Sequence, residues 1–107
     1  MKIKLSPQRK DYPITTSVVG DVITIDGIEY DFSPLKYGET LPSGAAGDVF
    51  SGDITRDESG EICLTLVLPH GANAPEETRF PEYFDKYMVV TDGAIELPPY
   101  DMEVTND

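Results

Sequence analysis

Residues 21–32, "DVITIDGIEYDF", leave the chain few choices. A tight two-residue hairpin needs positive φ at both central positions, and Asp-Gly tolerates this where bulkier pairs do not. Counting outward from Asp26-Gly27 pairs Ile25 with Ile28, Ile23 with Tyr30 and Asp21 with Phe32 on one face. Thr24 meets Glu29 and Val22 meets Asp31 on the other. One face is expected to be core and the other mostly wet. Asp21 is the exception on the core face, and is expected at the open end, where its carboxylate reaches water.

The same logic reads "YMVVTDGAIELP" (87–98) as a second hairpin turning at Asp92-Gly93, with Val90 opposite Ile95 and Met88 opposite Leu97. A third turn, Asp57-Glu58-Ser59-Gly60, joins 48–56 to 61–69 and suits a type I turn with Gly60 in the left-handed position. Beyond it, Ile62, Leu64, Leu66 and Leu68 share one face, while Cys63, Thr65 and Val67 on the other carry no charge. This strand is expected to be central, with Pro69 ending its ladder. "KIKL" (2–5) and "ITTSVV" (14–19) complete the strand-like segments, the second rich in β-branched residues. No segment shows a sustained helical period; residues 75–79 are expected to form one helical turn, with Asn73 as its cap and Pro75 in the first turn.

A chain of 107 residues is one domain. The expected fold class is all-β: a single antiparallel β-sandwich or small barrel of about seven or eight short strands built from hairpins. It spans residues 1–98, and residues 99–107 form an acidic, flexible tail.

The charge narrows the partners. With 20 acidic and 8 basic residues the formal net charge is −12. Such a field opposes nucleic acid and anionic lipid, whose phosphates require Lys or Arg. A charge-selected partner would be basic or a cation. No run approaches the ~18 apolar residues needed to span a membrane, and no apolar stretch follows the basic N-terminus as in a secretory signal. The expected location is the host cytoplasm or a virion.

His70 is the single histidine, held between Pro69 and Gly71. Nucleophilic catalysis would need a nucleophile and an orienting group around it. Ser51, Ser59 and Cys63 are the nearest candidates, and none sits in a nucleophile-elbow frame. One His and one Cys do not make a standard zinc site. "DITRDESGE" (53–61) lacks the spacing of a helix-loop-helix calcium loop. The 20 carboxylates could supply a glycosidase pair, but so many place some pair together by chance. No catalytic residue, metal or cofactor is therefore assigned, and the chain is read as non-enzymatic. "LPPY" (97–100) fails the P-P-x-Y pattern and reads as a stiff exit from the last strand.

Phe80, Tyr83, Phe84 and Tyr87 cluster in "FPEYFDKY" (80–87). They either cap the core or form an exposed sticky patch. With His70, Asn73 and Arg79 they make the candidate interaction surface.

"MKIKLSPQR", "DVITIDGIEYDFSPLKYGETLP" and "LTLVLPHGANAPEETRFP" together resemble a group of small phage and prophage proteins encoded among tail or tail-fibre genes, over residues 1–98. The last block is the most specific. "EYFDKY" (82–87) departs from the group's pattern as an insertion before the last hairpin. The resemblance carries over no catalytic residue. It implies an accessory protein that binds a tail or tail-fibre protein, with self-association as a further expectation. The alternatives are a small-ligand or carbohydrate-binding module and, third, a His70-centred enzyme.

Overall fold

A computed structural model describes residues 1–42 and 44–101. The chain forms two sheets. One holds, in spatial order, β5 (Thr40–Leu41), β6 (Ile54–Arg56), β7 (Ile62–His70), β1 (Lys2–Arg9) and β8 (Met88–Val89). The other holds β4 (Ile28–Asp31), β3 (Val22–Ile25), β2 (Thr16–Val19) and β9 (Asp92–Ala94). Between β7 and β8 lie a one-turn helix, α1 (Glu76–Arg79), and a 3-10 turn (Glu82–Phe84). The architecture is all-β, as two sheets and not a closed barrel.

The first hairpin forms in the register counted from sequence, Ile25 opposite Ile28 and Ile23 opposite Tyr30. Asp26 (φ 50°) and Gly27 (φ 83°) both take the left-handed conformation. Asp26 also latches the turn to the chain before β2, its carboxylate accepting from the Thr15 N–H at 2.9 Å. Asp21 does not simply face water. It pairs with Arg56, Nη2 to Oδ2 at 3.0 Å.

The second Asp-Gly pair makes no hairpin. Met88–Val89 pairs with β1, Lys2 opposite Val89 and Ile3 opposite Met88. Asp92–Ala94 pairs with β2 in the other sheet, Val18 opposite Gly93. The chain crosses between sheets at residues 90–91, and Gly93 lies within β9. Local turn preference is outweighed because β1 and β2 each offer an open edge, and each sheet gains a strand.

The central pair departs from the antiparallel expectation: β1 and β7 run parallel, from Lys2 opposite Cys63 to Arg9 opposite His70. Pro69 does not end this ladder, and the reason is directional. Lys10 N–H donates to the His70 carbonyl at 3.2 Å, and Val67 N–H donates to Val49 on the opposite side at 2.9 Å. Backbone groups alternate sides along a strand. Even residues of β7 therefore address β1, and the missing N–H of Pro69 faces away. By the same alternation the even residues of β1 address β7, so Pro7 lacks its N–H on the far edge. Both prolines sit where the parallel ladder needs no donor.

The core fills the space between the sheets. Ile3 and Leu5 of β1 and Ile62, Leu64, Leu66 and Leu68 of β7 meet Val18, Ile23 and Ile25 of the smaller sheet, all essentially inaccessible. Phe50 closes one end, its ring edge-on to Tyr30 (centroids 5.1 Å apart) and to Phe32 (5.6 Å). Arg56 spans the sheets at that end. From β6 it donates to the carbonyls of Leu35 (2.5 Å), Phe32 (3.1 Å) and Gly60 (2.7 Å) besides Asp21. The turn after β6 is the expected one, with Gly60 at φ 87°.

Asp57 opens that turn and joins it to β1. Its carboxylate accepts from Lys2 Nζ at 2.5 Å, from the Ser59 hydroxyl at 2.7 Å and from the Glu61 N–H at 3.0 Å. These donors, the Lys2 ammonium first, hold the carboxyl well below the usual carboxylate range, while Asp57 raises the Lys2 ammonium in turn.

Two outcomes follow from this packing. Gly27→Ala places a methyl group at positive φ in open space, so strain alone should cost about 1–2 kcal/mol in urea unfolding. Because the Asp57 pKa is depressed on folding, its stabilisation is present above the unfolded value of about 4 and is lost as pH falls below it. Acid unfolding of Asp57→Asn should therefore have a shallower pH dependence than wild type below about pH 4, while a parallel dependence would discount the Lys2–Asp57 link.

Candidate functional site

β7 delivers His70 to the loop that leads into α1. His70 is half-buried, and its Nδ1 lies 3.1 Å from the Gly71 carbonyl oxygen. A carbonyl only accepts, so this contact assigns the ring hydrogen to Nδ1 and turns the imidazole onto its own loop. Among the described residues no group of three or more His, Cys, Asp or Glu is arranged to hold a metal ion. Cys63 is buried, with Sγ 3.7 Å from Asp57 Oδ2. Burial pushes its thiol up and the Asp57 carboxylate adds to the effect, which leaves less of the reactive thiolate.

The same loop is fastened by the end of the described chain. Gly71 N–H donates to the Tyr100 carbonyl at 2.8 Å, and Asn73 N–H donates to Asp101 Oδ1 at 2.9 Å. The fully buried Thr78 hydroxyl donates to the Pro99 carbonyl at 2.5 Å. Tyr100 reaches across to donate to the Lys10 carbonyl. A Cβ at Gly71 would overlap the Asp101 carboxylate and push it aside. Residues 99–101 are thus docked, where the sequence suggested the start of a flexible tail; residues 102–107 of that tail lie outside the described residues. Asn73 is not the cap of α1 either. Pro75 occupies the cap position without a side-chain hydrogen bond, and Asn73 uses its backbone to hold Asp101.

The structure divides the aromatic cluster. Phe80 and Phe84 stand 72 % and 62 % exposed and, with Arg79, Pro81 and Asp85, line a surface hollow of about 410 Å³. Tyr83 turns the other way and packs against the core, with the Lys86 ammonium 5.7 Å from its ring centroid. Tyr87 lies under Lys4, whose Nζ is 4.6 Å from the ring centroid. Arg79, Phe80 and Phe84 therefore share one surface, Tyr83 and Tyr87 face elsewhere, and His70 and Asn73 belong to the docked loop.

On the inner side of the 3-10 turn a larger cleft of about 730 Å³ opens between that turn, β8 and the segment 94–99. Leu5, Tyr83, Met88, Val90, Ile95 and Leu97 give it apolar walls. Its charged lining residues are Glu77, Glu82 and Glu96. Glu82 pairs with Lys86 at 2.9 Å, whereas Glu77 and Glu96 have no ion-pair partner among the described residues. Pro81 lines both this cleft and the hollow of Phe80 and Phe84. No local sequence signal marks the cleft, because its walls join β1 to the 3-10 turn, β8 and the crossing segment, which lie far from β1 in the chain.

Comparison with protein-family models, with curated proteins and with solved structures finds no match for this chain.

Thr78→Val keeps the buried volume and removes one donor. It should lower stability by roughly 1–2 kcal/mol and accelerate hydrogen exchange at the Gly71 and Asn73 amides, which bond the docked segment. Unchanged exchange at those two amides would show that Thr78 does not hold residues 99–101.

Proposed function

We propose that this chain is a non-enzymatic protein-interaction module, an accessory protein of phage or prophage tail or tail-fibre assembly. One observation carries the interaction reading: two phenylalanines, Phe80 and Phe84, stand in solvent on a short segment whose neighbours are fixed. Exposed aromatic surface is unfavourable in water and gains by being covered. The ordering that a mobile loop would lose on binding is already supplied by Thr78 inside α1 and by Tyr83 in the core. Arg79 beside the rings adds a residue type common at interface hot spots. The phage setting rests on the resemblance of the three sequence blocks.

The test is affinity capture from a lysate in which the phage or prophage genes are expressed, with the wild-type chain beside the double variant Phe80→Ala/Phe84→Ala. The wild type should retain a tail or tail-fibre protein, and the variant should lose it with its stability unchanged within about 0.5 kcal/mol. Retention of the same protein by the variant would sink the role of this surface. Recovery of no tail component would sink the assembly reading, and screening of sugars and small ligands would take its place.

A further inference from the structure

The cleft on the inner side of the 3-10 turn is separate from the exposed phenylalanines, and its chemistry selects an occupant. Its floor is aliphatic: Leu5 and Ile95 are buried, with Met88, Val90 and Leu97 partly buried beside them. At about 730 Å³ it lies in the size range of pockets that enclose several side chains or a small ligand. Every charged residue lining it is acidic, and two of the three lack a counter-ion among the described residues. The surrounding field has the same sign, since the whole chain carries −12.

We propose that this cleft is a docking groove for a basic, aliphatic segment of a partner protein, aliphatic side chains filling its floor and Lys or Arg meeting Glu77 and Glu96. The inference rests on the reading of the chain as an interaction module and names the partner's chemistry. Charge decides against the two nearest rival occupants. A second copy would bring another −12, and the chain's own residues 102–107, "MEVTND", add Glu103 and Asp107 to an acidic rim. A basic segment gains from both the rim and the long-range field, while its aliphatic groups leave water. Pro81 borders the cleft and the phenylalanine hollow alike, so one partner can extend across both.

The probe is a short end-blocked peptide alternating Leu and Lys, titrated into the isotope-labelled full chain. Two control peptides carry Glu or Ser in place of Lys. The Leu-Lys peptide should bind saturably, shift the amides of Val90, Ile95 and Leu97, and weaken as salt rises. Glu77→Gln/Glu96→Gln should weaken it roughly tenfold, and both positions are exposed, so the fold is preserved. Phe80→Ala/Phe84→Ala should leave peptide binding within about twofold, since additivity holds for sites that share no partner. No saturable binding up to roughly millimolar peptide, equal binding of the Glu or Ser peptide, or shifts confined to the Phe80–Phe84 hollow would each overturn the groove. Capture of a tail protein that persists while the peptide fails to bind would remove the groove and leave the interaction module standing.

Discussion

The parallel pairing of β1 with β7 is the constraint on which the other elements depend. It aligns Lys2 with Cys63 and runs unbroken to Arg9 and His70. A parallel pair cannot be closed by a tight turn and needs a long connection. Here the connection contains β2 to β6, so three of the second sheet's four strands are built within the crossover of the first. Once β1 lies beside β7, β8 has an edge at Lys2 and Ile3 to join. The arrival of β8 then carries residues 92–94 to the opposite sheet. Both prolines of the pair respect the ladder because each lacks its donor on the outer side.

Two connections hold the sheets as one body beyond their shared core. At one end Arg56 binds Asp21 and three backbone carbonyls, so a guanidinium that is largely withdrawn from water makes four hydrogen bonds, one of them charge-paired. Toward the other, the chain crosses between sheets at residues 90–91 and continues as the 94–99 segment, which ends docked on α1 and on the Gly71 loop. The apolar cleft exists because residues 95–99 run on beyond β9 outside any sheet. This segment lies against β2 through the Ile95 N–H bond to Thr16 (3.0 Å) and leaves Met88 and Tyr83 lining the cleft.

What was legible in the sequence was what is decided locally. The Asp26-Gly27 hairpin and its register, the turn ending at Gly60 and the central place of residues 62–68 depend on neighbours a few positions apart. The same dipeptide at Asp92-Gly93 misled because distant edges, Lys2–Ile3 and Ser17–Val19, compete for its flanks. Alternation identifies the faces of a strand but not the direction of its partner, so the parallel pair was hidden. The effect of Pro69 was misjudged for a related reason: which side lacks the donor is known only once the neighbouring strands are placed. In the candidate surface, composition picked out the aromatic cluster but could not divide it. Phe80 and Phe84, four apart, emerge together, while Tyr83 between them turns inward and packs against the core. The docking of Pro99 to Asp101 was masked by a composition that reads as a tail; its signal is backbone hydrogen bonding, to which sequence is nearly blind.

The parallel pair also sets an order of events during synthesis. β1 leaves the ribosome well before β7, and its partner follows only when the chain has grown past His70. Until then Ile3 and Leu5 have no sheet to enter, while the hairpin of β3 and β4 can close on its own within microseconds. The nascent chain therefore carries an unpaired, half-apolar strand throughout the synthesis of β2 to β6. The alternating lysines of "KIKL" and the donor-free edge at Pro7 then acquire a second role, as gatekeepers that discourage premature pairing while the strand waits.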